Sequence, residues 1–367
     1  MRIAILIISD LDRFMEIKDF WDKELREHVD DPYLFSWLLI EHWKIGQKLG
    51  WHPFLMVFTL RNKIVGFAPL MMRSNFGFRQ ISTFDQYTYP HFFSHNYRKI
   101  CVDAMITFLF KQLKCESAII TCEDESSNQK VLKDVCKNNG FSCTGCPQEG
   151  EAVILVNQSL DSFQQSLKKQ NRKKFAKIRR KLDELGSWQI SCSKLNCDSL
   201  VKISMVERFS WKTDLEGKKK AMKDLDLART LKALQNIPED SSFFEAEIWF
   251  LELNGIPLSY MLVIKRNQTV FFAKTSYDSR YKHLSPGLFL MNDLIERVFR
   301  GMTAEKIDFM TDLQFVQVWK PLIKKRTAFK ILRNQLLSSA RLLVFENPVC
   351  LKALQIIEKT SWQKKQY

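Results

Sequence analysis

Glycine and proline are scarce in this sequence, with 12 and 10 among 367 residues. We therefore expect few long irregular loops and no low-complexity segments. No stretch approaches the ~18 uncharged apolar residues of a membrane-spanning helix. The opening apolar run, Ile3–Ile8, is too short for the core of a signal peptide, and Asp10 follows it closely. We therefore expect a globular protein without a leader or a transmembrane segment.

Histidine and cysteine do not occur at the spacings of a metal site. The six histidines form no ligand set, and the nine cysteines are an odd number scattered through the chain. Cys143 and Cys146 form one C-x-x-C pair, but a structural zinc ion needs four ligands, and no second pair accompanies them. We therefore expect no metal. Ordinary buried, reduced thiols are typical of a cytoplasmic protein, and we expect this location.

Acidic residues are fewer than basic ones: the sequence has 41 Asp and Glu residues and 56 Lys and Arg residues, which gives a net charge of +15. Such a balance indicates an acidic partner, which charge alone does not identify: cofactor phosphates, a nucleic acid or an anionic membrane. Nine of the basic residues lie between Lys168 and Lys181. A stripe at helical spacing runs beneath them: Leu167, Asn171, Phe175, Ile178, Leu182 and Leu185. It predicts an amphipathic helix that ends at Gly186, with a basic face that is either solvated or bound to an anion.

One order of elements occurs twice. Each half begins with helical sequence and continues into a β-hairpin, at 54–72 and at 247–264, the second with an Asn254-Gly255 turn. A helix and another strand follow each hairpin. Pro147 and Gly150 predict a loop and a domain boundary near 148–152. The pattern predicts an α+β fold with two mixed sheets and helices on both faces, in three layers.

The sequence after the third strand of the second half, 270–277, predicts an anion site. Ser285-Pro286-Gly287 opens a helix, with Ser at the N-cap and Pro at the first helical position. Gly287 permits close approach to the backbone, and the free N–H groups of a helix N-terminus favour a phosphate. The first half has no comparable basic loop. A well-capped structural helix is the alternative interpretation.

Several segments resemble the GNAT superfamily of acyltransferases. SSNQKVLKDVCKNNGF (126–141) is similar to its closing helix and Gly-Phe segment. The stretches 166–186, 208–212 (RFSWK) and 277–296 (YDSRYKHLSPGLFLMNDLIE), with DPYLFSWLLIEHW near the start, resemble an acetyltransferase domain associated with bacterial cellulose and exopolysaccharide synthesis. The resemblance implies two tandem GNAT-like halves: a degenerate, acceptor-shaping half at 1–150, an acyltransferase half at 151–345, and a helical tail at 346–367.

The resemblance implies transfer of an acyl group, acetyl first of all, from acyl-CoA to an amino group of a sugar, a glycan precursor or a similar small acceptor. Polar residues at strand ends suit this chemistry, because the amine must lose a proton and the thiolate must gain one. We predict Glu207 and Asp278 as candidate bases and Tyr277 as the acid. The predicted donor contacts are Arg280, Lys282, Ser285, Gly287 and Leu288. The predicted acceptor contacts are Trp211, Lys212, Asp308 and Asp312.

Two alternatives remain open at this point. Fem peptidyltransferases share a tandem GNAT architecture and use aminoacyl-tRNA, so the 168–181 helix is also a candidate RNA-binding element. Nucleic acid is second choice, because the helix lacks interleaved aromatic residues for base stacking. A GNAT-like module that binds without catalysis is the other alternative, and it would bind no acyl donor.

Overall fold

The computed structural model describes residues 3–75, 78–83, 90–93, 95–123, 127–210, 227–235, 237, 244–301 and 304–333. Contacts within the chain divide it into two units. Unit 1 contains the residues up to Phe14, residues Gly46–Gln148 and the described residues from Arg326 onwards. Unit 2 contains Met15–Ile45 and Glu149–Lys325.

The described part of the chain forms strands and helices in alternation. The strands are β1 (Ala4–Ile8), β2 (His52–Leu60), β3 (Lys63–Asn75), β4 (Phe78–Thr83), β5 (His91–Phe92), β6 (Ser117–Glu123), β7 (Ser142–Leu155), β8 (Trp188–Ser193), β9 (Glu245–Leu253), β10 (Ile256–Arg266), β11 (Thr269–Tyr277), β12 (Lys306–Asp308) and β13 (Leu322–Leu332). The α-helices are α1 (Leu11–Arg26), α2 (Ser36–Lys48), α3 (His95–Thr107), α4 (Ser127–Asn138), α5 (Leu160–Ser166), α6 (Lys169–Leu185), α7 (Cys197–Arg208), α8 (227–235) and α9 (Pro286–Gly301). Shorter turns of 3-10 helix occupy Pro32–Leu34, Ser279–Leu284 and Gln314–Trp319, and Phe108–Gln112 is a π-helix.

Unit 1 is built on a mixed sheet in the order β1-β2-β3-β4-β6-β13. Its neighbours are antiparallel except for β4 and β6, which run parallel. Helices α3 and α4 pack against it around a core that includes Phe58, Phe110 and Phe329. Unit 1 is thus an α+β layer structure with its own hydrophobic core.

Unit 2 follows the same succession with the strand order β8-β9-β10-β11-β12-β7. Four antiparallel strands lead to one parallel step, β11 to β12, and β7 then pairs antiparallel with β12. Helices α5, α6 and α9 cover one face, where Phe272, Phe289 and Trp319 belong to one core cluster. The expected α+β fold with mixed sheets and helices is confirmed.

Both predicted hairpins are present, because their turns have the required backbone geometry. Asn254 and Gly255 have φ values of 51° and 79°, and Arg61 and Asn62 have 49° and 63°. Positive φ at both central residues is the two-residue turn that matches the twist of antiparallel strands. The hairpins therefore follow directly from local sequence.

The expected loop at 148–152 was wrong, because β7 runs without a break from Ser142 to Leu155. Gly150 explains this result. A Cβ at Gly150 would lie 2.5 Å from the carbonyl oxygen of Lys324 on β13. The glycine therefore permits close strand approach rather than a turn. Strand β12, which follows the second hairpin and its helix, is only three residues long and ends at Asp308.

The described cysteines are all free thiols. Cys146, Cys192 and Cys197 are exposed, so the expectation of buried thiols was wrong for these three. None of the described helices combines the length and the apolar character needed to cross a membrane.

Candidate active site

Strands β11 and β12 lie side by side for only three residues. Thr269–Phe271 pairs with Lys306–Asp308, whereas β11 continues to Tyr277. A bulge at Ala273 marks the point where the two strands part, and bulges commonly end pairing or redirect side chains. Among the described residues, no strand pairs with this edge of β11 beyond the three. Its backbone N–H and C=O groups are placed to meet a ligand there.

Helix α9 begins just beyond the end of β11. Ser285 has a left-handed φ of 46°, and Pro286 takes the first helical position. The first backbone N–H of α9 that donates an intrahelical hydrogen bond is that of Phe289, whose nitrogen lies 3.1 Å from the carbonyl oxygen of Ser285. The N–H groups of Gly287 and Leu288 therefore lie at the open end of the helix, where the dipole favours an anion. The predicted start of the helix is confirmed.

The first turn of α9 packs on the part of β11 that has left β12. A Cβ at Gly287 would lie 3.6 Å from Cδ1 of Tyr277 and 3.9 Å from Oγ1 of Thr275. These are ordinary van der Waals distances, so this position would accept a methyl group. An anion at the helix N-terminus would therefore lie close to the edge of β11.

Asp278 and Arg280 form an ion pair that fixes the loop between β11 and α9. Arg280 Nη2 lies 2.6 Å from Asp278 Oδ2, and the backbone N–H of Arg280 donates to Oδ1 at 2.9 Å. The guanidinium carbon lies 3.6 Å from the centre of the Phe209 ring. Only 1% of Asp278 is exposed. The hydrogen bond that Arg280 donates to Asp278 is the largest cause that raises the pKa of Arg280, and the negative charge of Asp278 adds to it.

Glu207, near the end of α7, accepts hydrogen bonds from the side chains of Tyr260 and Ser210. The Tyr260 hydroxyl donates to Oε1 at 2.5 Å, and the Ser210 hydroxyl donates to Oε2 at 3.1 Å. Just after this helix, the carbonyl oxygen of Phe209 accepts a hydrogen bond from the N–H of Ser279 at 2.7 Å. The carboxylate of Glu207 is thus oriented close to the end of β11.

Glu207 and the N-terminus of α9 lie on opposite faces of the sheet. Tyr260, the partner of Glu207, is directly opposite Ser276 on β11. The next residue, Tyr277, contacts the first turn of α9. Since side chains alternate along a strand, strand β11 lies between the two groups.

The remaining predicted residues differ in where they lie. Asp308 pairs with Phe271 at the point of parting, is 2% exposed, and accepts a hydrogen bond from the N–H of Met310 at 2.9 Å. Asp312 lies farther along the chain, with Oδ2 3.0 Å from the position of a Cβ at Gly150. Lys282 is exposed in the loop before α9. Trp211 and Lys212 lie outside the described residues.

The basic helix forms as α6. Phe175, Ile178 and Leu182 are buried, and Gly186 follows the last turn. Leu185 is 49% exposed, so it does not extend the buried stripe as expected. Asn171 donates a hydrogen bond to the carbonyl oxygen of Val318 at 3.0 Å, which explains a polar residue in the stripe.

One basic residue of α6 reaches towards α9. The guanidinium carbon of Arg179 lies 5.6 Å from the ring centre of Trp188 and 5.8 Å from that of Phe289, in the second turn of α9. The remaining basic residues are exposed, except the half-buried Lys181. Arg179 is therefore the residue that connects the basic face with the anion-favouring end of α9.

Sequence reasoning missed Tyr260 and Ser276. Both lie in strands whose apolar character predicts core, and both are buried. Their pairing is a long-range contact between strands, which the spacing of residues does not reveal. The only local signal was the polar run Lys274-Thr275-Ser276 near the end of β11. Among the described residues, no group of three His, Cys, Asp or Glu is placed to hold a metal ion.

Comparisons with known proteins identify a matching family and several similar folds. Residues 169–320 match the family described as the acetyltransferase (GNAT) domain. The fold is similar to that of FemX, with a TM-score of 0.59, 12% identity, and coverage of 89% of this chain and 96% of FemX.

Two further solved structures share the fold. A conserved protein of unknown function from Bacteroides thetaiotaomicron has a TM-score of 0.54 and 10% identity, over 90% of this chain and all of that one (100%). The C-terminal domain of a putative lysylphosphatidylglycerol synthetase from Agrobacterium fabrum has a TM-score of 0.51 and 9% identity, over 90% and 95%. No curated protein matches the sequence.

Proposed function

We propose that this chain, which contains a GNAT acetyltransferase domain at residues 169–320, is an N-acyltransferase. It moves an acyl group, acetyl first of all, from acyl-CoA to an amino group of a sugar, a glycan precursor or a similar small acceptor. The observation that carries the proposal is the parting of β11 from β12 directly beside the N-terminus of α9. Among the described residues, this arrangement combines a helix N-terminus that favours an anion with a strand edge that no other strand pairs.

The donor suits the α9 side of this arrangement. Its diphosphate would accept hydrogen bonds from the N–H groups of Gly287 and Leu288, with Ser285 and Lys282 beside them. The amides of its pantetheine arm would bond to the unpaired edge of β11, as an added strand would. The thioester would then lie in the gap between β11 and β12.

Glu207 and Tyr277 supply the proton transfers in this proposal. The lone pair of the amine attacks the thioester carbonyl carbon, so that a C–N bond forms and the C–S bond breaks. Glu207 accepts the proton that the amine loses, and the Tyr277 hydroxyl protonates the departing thiolate. We assign the base to Glu207 rather than Asp278, because the Asp278 carboxylate already balances the charge of Arg280. Asp278 and Arg280 instead hold the loop that leads into α9.

The acceptor suits the face of the sheet that carries Glu207. Asp308, at the point of parting, is proposed to contact a polar group of the acceptor, and Asp312, Trp211 and Lys212 are further proposed contacts. An amino sugar or glycan precursor is proposed from the resemblance of the sequence to enzymes of exopolysaccharide synthesis. We propose a cytoplasmic location, which the free cysteines support.

Two assays on the full-length protein test the proposal. Acetyl-CoA should raise the unfolding temperature in a concentration-dependent manner, because a ligand of the native state stabilises it by mass action. Free CoA thiol should then be released when glucosamine is added. Stabilisation by tRNA and not by acetyl-CoA would replace the proposed donor with aminoacyl-tRNA. Stabilisation without thiol release from any amine panel would indicate a binding module.

A further inference from the structure

Helix α6 presents a row of basic side chains on the side away from the hydrophobic core. Four of them recur at intervals of four, four and three residues, the spacing of one face of a helix. They are Lys169, Lys173, Lys177 and Arg180. All four are exposed, whereas the buried residues of the helix lie on its opposite face. At 1.5 Å per residue, the row is about 17 Å long.

The positive charge of α6 is largely unmatched by acidic side chains. The helix contains eight basic and two acidic residues. Glu184 lies 3.5 Å from Arg180, and both side chains are exposed. Asp183 instead accepts a hydrogen bond from Trp188 Nε1 at 2.7 Å. Among the described residues, no carboxylate forms an ion pair with the three lysines of the row. The row is therefore a concentrated positive surface that attracts an extended anionic partner.

Two exposed apolar side chains lie at the C-terminal end of the same helix. Leu185, its last residue, is 49% exposed, and Ile256, the first residue of β10, is 41% exposed. Asn254 brings the two segments together. Its side-chain nitrogen donates to the carbonyl oxygen of Leu185 at 3.3 Å, and its backbone N–H donates to that of Ser187 at 2.7 Å. The basic row thus ends beside exposed aliphatic groups.

This combination favours a membrane surface over a nucleic acid. Proteins that bind single-stranded nucleic acids stack aromatic side chains on the bases, but Phe175, the one aromatic residue of α6, is buried. The nearby Trp188 ring faces the guanidinium of Arg179, whose carbon lies 5.6 Å from the ring centre. The phosphate backbone of a nucleic acid offers no apolar surface to Leu185 and Ile256, whereas the acyl boundary of a bilayer does.

We propose that α6 binds the surface of a membrane that contains anionic lipids. The row of cations lies along the lipid phosphates, and Leu185 and Ile256 enter the boundary between headgroups and acyl chains. Basic segments and exposed aliphatic side chains bind such surfaces by these two contributions. The inference does not rest on the proposed function, because it uses none of the residues assigned to acyl transfer.

Vesicle flotation of the full-length protein tests the proposal. Vesicles of phosphatidylglycerol and phosphatidylcholine in equal parts are compared with vesicles of phosphatidylcholine alone. We expect binding to the first and not to the second, and we expect it to weaken as salt is added, because salt screens exposed charges. Equal binding to both kinds of vesicle, or binding to neither, would overturn the proposal.

A triple variant, Lys169→Gln with Lys173→Gln and Lys177→Gln, locates the binding on α6. We expect its affinity for the anionic vesicles to fall by about a hundredfold, since each basic residue near such a surface contributes roughly fivefold. The control removes the same net charge from three exposed lysines of α3 and α4, namely Lys99, Lys130 and Lys137. The control should lose little affinity. An equal loss in both variants would show that net charge alone drives the binding and would contradict the assignment to α6.

A double variant, Leu185→Ser with Ile256→Ser, tests the apolar contribution. We expect affinity for the anionic vesicles to fall by about tenfold, because aliphatic surface no longer leaves water on binding. The dependence of affinity on salt should stay the same, because no charge is changed. Unchanged affinity in this variant would contradict the insertion of these two side chains.

Binding of a transfer RNA mixture, measured by gel shift, addresses the other class of partner. RNA binding that is lost in the triple variant, together with no flotation on anionic vesicles, would overturn the proposal and assign α6 to a nucleic acid. Flotation by a protein that releases no thiol from acetyl-CoA would refute the proposed function and leave the membrane surface standing.

Discussion

The Tyr260 hydroxyl donates a hydrogen bond to Glu207 Oε1 across 2.5 Å and thereby joins strand β10 to the end of helix α7. Tyr260 is 1% exposed, so this contact is shielded from solvent. A second donor, Ser210, occupies the other carboxylate oxygen. Glu207 therefore has a defined orientation, as general-base catalysis requires.

Replacing Glu207 by Gln removes the proposed base and keeps its size. We expect kcat to fall by ~10²–10⁴-fold, since general-base catalysis contributes in that range. Donor affinity should be unchanged, because Glu207 lies on the face opposite α9. Steady-state thiol release and calorimetric titration with acetyl-CoA measure the two quantities. Glu184→Gln, at an exposed position on α6, is the control, and equal activity of the two variants would contradict the role of Glu207.

Tyr260→Phe tests the positioning of Glu207. The ring is retained, but one hydrogen bond to a carboxylate is lost, so we expect kcat to fall about tenfold, with KM for the donor unchanged. In a Glu207→Gln background the same substitution should change kcat little further, because Tyr260 acts through that carboxylate. A decrease in thermal stability with kcat unchanged would instead show a purely structural role.

Asp278→Asn distinguishes a structural carboxylate from a catalytic one. The substitution removes the negative charge that balances Arg280. Asp278 itself is only 1% exposed. We expect weaker donor binding and a lower unfolding temperature, because the loop into α9 loses its anchor. Catalysis at saturating donor should largely persist. A loss of kcat as large as that of Glu207→Gln, with donor binding intact, would make Asp278 the base.

Gly287 tests the position of the donor through two substitutions. Ala should bind acetyl-CoA as the wild type does, since its Cβ would lie 3.6 Å from Tyr277. Phe should weaken binding by at least about tenfold, or ~1.4 kcal/mol, because its ring would cover the helix N-terminus. Calorimetric titration measures both, and the Ala variant controls for helix effects. Wild-type affinity in Gly287→Phe would place the donor elsewhere.

The elements that the sequence predicted well are those determined locally. Asn254 and Gly255 predict their turn because few residues adopt positive φ, and Pro286 predicts a helix start because its ring fixes φ. The continuity of β7 could not be predicted in this way. From the local sequence, Gly150 indicates an interruption of the strand. The structure shows instead that a glycine is needed there because the carbonyl oxygen of Lys324, 174 residues away in the sequence, lies too close for a Cβ.

The residues of the candidate site likewise fall into those that local sequence predicted and those that depend on tertiary structure. Ser285 and Gly287 carry a local motif, so sequence reasoning placed them at a helix N-terminus, where the structure has them. The contact between Arg280 and Asp278 is also local, but its strength depends on burial, which the sequence does not give. Tyr260, Ser276 and Lys274 share a face only because of strand register and a bulge at Ala273. Their proximity follows from tertiary structure alone.

The last prediction concerns His91 and the stability of unit 1. Burial, the largest cause, lowers the pKa of His91 to about 4, against an unfolded value of about 6.5. As the pH falls below the pKa of His91 in the unfolded chain, the unfolded chain binds a proton at His91 while the folded chain does not. The free energy of unfolding therefore decreases. The loss should reach about 2 kcal/mol at pH 5 and should be complete near the folded pKa. Urea unfolding at pH 7.5 and at pH 5 measures it. His91→Gln should lose that part of the pH dependence, whereas His52→Gln, at an exposed position on β2, should retain it. An identical pH dependence in wild type and His91→Gln would show that a group other than His91 causes the decrease.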